Sequence, residues 1–297
     1  MARVFAILGP TASGKTEVAV AVAERLNAEV ISVDSMQIYR EMDIGTAKPS
    51  MEERRGVTHH MIDIVDPSEE FTVAQFREQG RHVIESSEVP LIISGGSGLH
   101  FRALVDPMTF APTDPELREQ LEMAEADELV RQLVEADPDA SNHIDFANRR
   151  RVVRALEILE LTGVSPSERA VTPEAGELRH YVAEVEFSAV GIDPGGLLEE
   201  RIQRRLATMI DNGLVEEVSR LWARMGRTAR GAVGYREIGA HLDGEMELGQ
   251  AMAEIARATR RLARRQRTWF QRDPRITWIP WSDDPSEREM MVLEALS

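Results

Sequence analysis

The chain has 297 residues, 42% hydrophobic and 29% charged, which suits one large folded core with a smaller appended unit and excludes a disordered protein. It has no cysteine, so disulfides and thiolate metal sites are excluded and a reducing cytoplasm is the natural setting. The formal net charge of −16, taken alone, argues against nucleic acid as a partner, since polyanions are held by Lys and Arg. No apolar run is long enough to span a bilayer, and the sequence enters a core strand directly, without a signal-peptide pattern.

The apolar run Val4–Leu8 predicts a strand. Gly9, Pro10, Thr11, Ala12, Ser13, Gly14, Lys15 and Thr16 follow it as G-x-x-x-x-G-K-[ST], and residues 16–26 read as a helix. Strand, glycine-rich turn and helix in that order form an anion cradle. Backbone N–H groups and the helix dipole point at a phosphate, Lys15 adds a point charge, and the Thr16 hydroxyl can reach a bound Mg²⁺. Residues 30–33 and 91–93 are two further strand signals. They lead into Asp34-Ser35-Met36-Gln37 and into Gly95-Gly96-Ser97-Gly98, with helical patterns between. This is the rhythm of a parallel α/β sheet with helices on both faces, in which ligands bind at the carboxyl ends of the strands. Three parallel strands would bring the three loops to one crevice.

Past Val105 the pattern changes. Pro107, Pro112 and Pro115 punctuate a turn-rich stretch, and helices are predicted over 115–126, 127–135 and 148–161. Residues 110–175 therefore read as a mostly helical insertion, with 1–109 and 176–297 forming the core. An extended segment over 181–190 would return the chain to the sheet, helices would run to about residue 272, and Ile276–Ile279 would be the last strand.

Several residues carry two readings each. Asp34, at a strand end beside the cradle, could hold Mg²⁺ through water or accept a proton, or could be a turn-capping Asp. The loop at residues 95–98 is a plain turn or a point of close backbone approach to a ligand. Adjacent His59 and His60 point apart on a strand and do not make a zinc site. Arg149, Arg150, Arg151 and Arg154 form one basic cluster. Residues 257–272 form another, with seven arginines and no acid. Each is a solvated helix face or an anion-facing surface. Gly231 to Glu237 is a tight turn before a helix, or a place where Tyr235 and Arg236 stack on a base or clamp a phosphate.

The segments GPTASGKT (9–16), DSMQIYREMDIGTAKP (34–49), HHMID (59–63), GGSGLHFRAL (95–104), NRRRVVRALE (148–157), GAVGYREI (231–238) and TRRLARRQRTWF (259–270) together resemble the tRNA dimethylallyltransferase (isopentenyltransferase) family, in the family's order over nearly the whole chain. The cradle alone is shared with many nucleotide kinases; DSMQIYR followed by IGTAKP is far more specific. The resemblance implies a P-loop NTPase-like core and transfer of a dimethylallyl group from dimethylallyl diphosphate to N6 of the adenosine 3′ to the anticodon in tRNA. It makes the cradle, from Gly9 to Thr16, a holder of the donor diphosphate with Mg²⁺. Asp34 becomes the base and Ser35, Met36, Gln37 and Ser97 the surroundings of the flipped adenine. Arg118 would close over the diphosphate. Asn148, Arg149, Arg150, Arg151, Arg154, Tyr235 and Arg236 would contact the anticodon stem-loop. A cytoplasmic monomer of the bacterial type, without the Cys/His zinc extension of eukaryotic relatives, is implied. Two departures stand out. Ser97 and His100 replace the Thr and Tyr of the family's usual GGTGLY, which leaves the role of a tyrosine hydroxyl open. The competing readings are an enzyme that prenylates free AMP, ADP or ATP, a nucleotide-type kinase, and a non-enzymatic RNA-binding module.

Overall fold

The computed structural model describes residues 2–296. The chain starts with β1 (Val4–Leu8), α1 (Lys15–Leu26), β2 (Glu29–Val33), β3 (His59–His60), α2 (Val73–Ser86), β4 (Leu91–Gly95) and α3 (Gly98–Val105). It leaves the sheet domain at Val105 and returns at Val185, whose N–H donates to the Val105 carbonyl (3.1 Å). Residues 106–184 form a separate compact unit of helices: α4 (Pro115–Met123), α5 (Ala126–Ala136), α6 (Arg149–Thr162), α7 (Pro166–Ala170) and α8 (Pro173–Arg179). The chain then continues through β5 (Phe187–Ile192), α9 (Leu198–Asp211), α10 (Leu214–Leu221), α11 (Arg227–Arg230), α12 (Tyr235–Leu242), α13 (Leu248–Gln271), β6 (Ile276–Ile279) and α14 (Pro285–Leu296).

The six strands are all parallel, in the order β3-β2-β4-β1-β5-β6. Alternate strand residues feed two cores, as a strand's two-residue period requires. Ala6, Leu8, Ile31, Val33 and Ile93 pack with Phe76, Phe101, Val218, Ile255 and Phe270 on one face. Phe5, Ile7, Val30, Ile92 and Val190 pack with Val18, Val22 and Val292 on the other. Both faces are covered by helices, so the strands read as continuous apolar runs. In the register Leu8 and Val33 both pair with Gly95, so β1, β2 and β4 end level and release their loops at one edge.

The helical unit has its own core, with Leu129, Leu133, Val152, Val153 and Leu156 at its centre. Local signals set its helices. Asp114 caps α4 through the N–H groups of Glu116 and Leu117, Asn148 caps α6, and Gly163 closes α6 in the left-handed region. The unit is wider than the expected 110–175, because residues 106–109 and 176–184 belong with it. The helix predicted to Ala126 stops at Met123, where Ala124 turns extended. The expected extended segment 181–190 starts later, at Phe187, because Tyr181 sits at φ +55° and the chain is still turning there. Among the described residues no helix is long and apolar enough to cross a membrane.

Candidate active site

The cradle runs from β1 into α1. Gly14 takes φ +79°, a left-handed conformation open to glycine, and no side chain caps α1. The first amides of α1 are thus left for an anion. Ser13 Oγ is buried with no hydrogen-bond partner. Lys15 Nζ donates to the Pro10 carbonyl (3.2 Å), and Thr16 lies in the first turn of α1.

Two residues from distant helices complete the cradle. Arg205 on α9 donates to Thr11 Oγ (3.1 Å), and Gln266 on α13 accepts from the Thr11 N–H (2.8 Å). Neither was foreseen. Arg205 lies beside an apolar stripe of α9 formed by Leu198, Ile202 and Leu206, and Gln266 is a polar amide set between Arg265 and Arg267. An amide flanked by arginines is the one signal that could have singled it out.

Thr11, Lys15, Asp34, Arg205 and Gln266 line the polar part of a cavity of about 240 Å³. Ile202, Leu206, Met209, Leu214, Ile255 and Leu262 line its apolar part. Burial and the neighbouring Arg205 charge lower the Lys15 pKa to about 8, against the pull of Asp34. Burial also lowers that of Arg205, again opposed by Asp34. Two crowded cations short of solvent form a site in want of an anion.

Asp34 caps the turn after β2 and also faces the cavity. Its Oδ1 accepts from the N–H groups of Met36 (2.9 Å) and Gln37 (3.4 Å), which shapes the turn after β2, and the residue also lines the cavity. Ser35 and Met36 line it too. Gln37 corrects the expectation of a base-reading amide. Its Oε1 accepts from the Ser32 hydroxyl (2.9 Å), and its Nε2 donates to the Thr46 and Ala47 carbonyls (3.3 Å each), so it ties the next loop in place.

That loop, residues 43–48, forms part of the wall through Gly45 and Thr46. The buried Glu217 of α10 accepts from the N–H groups of Asp43 (3.0 Å), Ile44 (2.8 Å) and Gly45 (3.1 Å). Tyr235 donates its hydroxyl to the same carboxylate. Tyr235 is completely buried, and burial followed by the Glu217 charge pushes its phenol pKa up. This overturns the expected contact of Tyr235 with RNA: the ring is a core residue that locks the loop. Arg236 is exposed and paired with Glu237.

The glycine loop after β4 also has a different use from the one expected. A Cβ on Gly98 would lie 2.0 Å from the Trp269 ring, and one on Gly96 would lie 2.4 Å from Gln266 Nε2. These glycines admit α13, not a ligand. Ser97 Oγ is hydrogen-bonded to His100 Nδ1 (2.7 Å), and neither residue lines the cavity. His100 is buried edge-on to Phe76, and burial lowers its pKa to about 4 against the attraction of Asp34, so the imidazole is neutral. His59 Nδ1 bonds to the Val57 carbonyl and His60 Nε2 to Glu29.

Within the helical unit the expected RNA contacts divide. Arg118 and Arg154 both pair with the buried Glu157 (2.6 Å each), and Arg154 also donates to the Ala111 and Pro112 carbonyls. Burial works to raise the Glu157 pKa, but hydrogen bonds from Arg118, Arg154 and the Asp114 N–H outweigh it and hold the carboxyl below the usual range. Arg149 donates to the Glu122 and Ala124 carbonyls. Arg118, Arg149 and Arg154 are thus fasteners of the unit, not free cations. Arg150 and Arg151 are exposed on the first turn of α6, behind the capping Asn148.

The family model described as IPP transferase matches residues 37–273. A tRNA dimethylallyltransferase of Moorella thermoacetica is 46% identical over 301 residues, covering 96% of this chain and 91% of that protein. One from Bifidobacterium animalis subsp. lactis is 44% identical over 291 residues, covering 94% and 82%. The crystal structure of a tRNA isopentenylpyrophosphate transferase from Bacillus halodurans superimposes with a TM-score of 0.69 at 36% identity, covering 100% of this chain and 97% of that one.

Proposed function

We propose, given that the chain belongs to the IPP transferase family, that it transfers a dimethylallyl group from dimethylallyl diphosphate to N6 of the adenosine 3′ to the anticodon in tRNA. The observation that carries the reading is the cavity itself: an anion cradle with two cations, a carboxylate and an apolar wall in one enclosure. The cradle amides, Ser13, Lys15 and Arg205 would hold the diphosphate, and Ile202, Leu206 and Leu262 would shield the five-carbon chain from water. The C1–O bond breaks with its electron pair leaving on the diphosphate, where the cations stabilise the growing charge. The adenine N6 lone pair forms the new bond to C1, and the N6 proton passes to Asp34. The adenine reaches this depth by leaving its stack.

Among the described residues no group of three or more His, Cys, Asp or Glu could hold a metal. Such a sparse donor set fits Mg²⁺, which is commonly bound through few protein groups and the oxygens of its phosphate substrate. Thr16 and the donor diphosphate would hold it, and when bound it supplies further charge neutralisation to the leaving group. The reading takes the chain to act as a cytoplasmic monomer. Incubation with labelled donor and either tRNA or AMP, followed by mass spectrometry of the nucleosides, tests it. Dimethylallyl on tRNA adenosine is expected, without ATP consumption; label in AMP alone overturns it.

Two expected results follow from the geometry. Diphosphate binding needs the Lys15 ammonium, so affinity for the donor stays level below about pH 8 and falls about tenfold per unit above it, with proton uptake measurable by calorimetry in buffers of different ionisation enthalpy. Flat affinity from pH 7 to 9.5 would remove Lys15 from the site. Arg150 and Arg151 are the exposed cations we assign to the RNA phosphates. Arg151→Ala weakens tRNA binding with the salt slope reduced by about 1, while Arg154→Ala destabilises the helical unit instead.

A further inference from the structure

The C-terminal segment touches the cradle in a way the proposed chemistry does not use. Two guanidinium groups lie over the Trp281 ring, just after β6: Arg201 of α9 at 4.8 Å from the ring centre and Arg288 of α14 at 4.7 Å. Arg201 reaches from this contact into the cradle, where its Nε donates to the Ala12 carbonyl (2.7 Å). A methyl group on Gly14 would lie 3.1 Å from Arg201 Nη2 and 3.7 Å from the Trp281 ring, so both side chains rest against the turn that precedes α1. Arg288 is buried. It donates to the Ser282 carbonyl (2.7 Å) and to Glu17 of α1 (3.3 Å), and its Nε has no partner. An indole ring attracts a cation held over it, so it helps hold two cations that would otherwise repel. Burial and the nearby Arg288 charge lower the Arg201 pKa, as such crowding requires.

We propose that Trp281 is a positioning residue for the diphosphate site: in cation–π contact with Arg201 and Arg288, it fixes Arg201 on the Ala12 carbonyl and so holds the cradle amides in their anion-binding arrangement. The inference rests on the donor-site reading above. It makes the segment from β6 to α14 part of the binding machinery although none of its residues lines the cavity. Removing the ring releases Arg201, and the cradle then loses order that the diphosphate must restore on binding.

The test uses the full chain, with inorganic pyrophosphate as the calorimetric probe and steady-state prenylation of tRNA as the second readout. Trp281→Ala is expected to weaken pyrophosphate binding and raise the KM for dimethylallyl diphosphate about tenfold, with kcat and the KM for tRNA unchanged. Trp281→Phe keeps a ring face and is expected within about threefold of the parent. Should Trp281→Ala not fold, Arg201→Lys carries the test: it keeps the charge but loses the planar guanidinium and the Nε–H, and it raises the donor KM alone. Unchanged pyrophosphate affinity in these variants overturns the proposal. So does an equal loss for donor and tRNA, the mark of a merely structural role. A parent protein that binds no pyrophosphate overturns the donor-site reading itself.

Discussion

Replacing Asp34 by asparagine lowers kcat by about 10²–10⁴ and leaves tRNA affinity within about twofold. Asparagine is the informative choice because it separates the turn-capping contact of Asp34 from the proton transfer proposed for it. Its Oδ1 holds the N–H groups of Met36 and Gln37, and an amide oxygen can still accept from both, so the turn after β2 survives. What asparagine cannot do is take a proton. An exocyclic amine whose lone pair is delocalised into the purine gains nucleophilicity only as its proton departs, so the loss falls on the transition state rather than on binding. Single-turnover kinetics at saturating donor, set against filter binding of tRNA, measures the two separately. Equal losses in both would mean that Asp34 shapes the pocket and nothing more. Asp34→Ala is expected to do worse than asparagine on both counts, because it also frees the turn.

Glu217→Ala costs about 3–5 kcal/mol of stability, the second large effect. Three backbone N–H groups and one phenol converge on this carboxylate, which is 2% exposed. Truncation leaves four donors facing a void, each costing about 1–3 kcal/mol before relaxation. Tyr235→Phe removes a single donor and leaves the three amides bonded, so it costs about 1 kcal/mol. Urea unfolding of the two variants against the parent ranks them. A loss below about 1 kcal/mol for Glu217→Ala would show that water replaces the carboxylate. Because Gly45 and Thr46 form cavity wall, the alanine variant also binds substrate poorly in what remains folded.

What the sequence discloses about this site follows the range of the interactions involved. The cradle, β1 and α1 are set by contiguous residues, and the patterns at residues 30–33 and 91–93 announce two more strands because both faces of the sheet are buried. Loop convergence follows from parallel strands, and the pairing of Leu8 and Val33 with Gly95 bears it out for the strand ends. Side-chain assignments fared differently wherever a distant partner decides. Tyr235 after two glycines reads as a surface aromatic until Glu217 claims its hydroxyl from 18 residues away. Arg118 and Arg154 look like RNA ligands until the buried Glu157 pairs with both. That acid falls among apolar residues of α6, and nothing in its neighbourhood marks it as a hub. Arg205 and Gln266 reach Thr11 across 194 and 255 residues, distances over which no local pattern speaks. Gly96 and Gly98 leave a plain turn and a ligand approach equally open in the sequence, because a missing Cβ tells of close approach without telling what approaches; here it is α13.

The 24 residues of α13 make a rod of about 36 Å. One stretch of it, from Gln266 to Trp269, touches the cradle at Thr11 and the glycine loop at Gly96 and Gly98. Rods of this kind do not shear between adjacent turns, so the two loops are geared to a common shaft. A push on the arginines that stud its outer side would travel to both at once, and the floor of the pocket would answer as one piece.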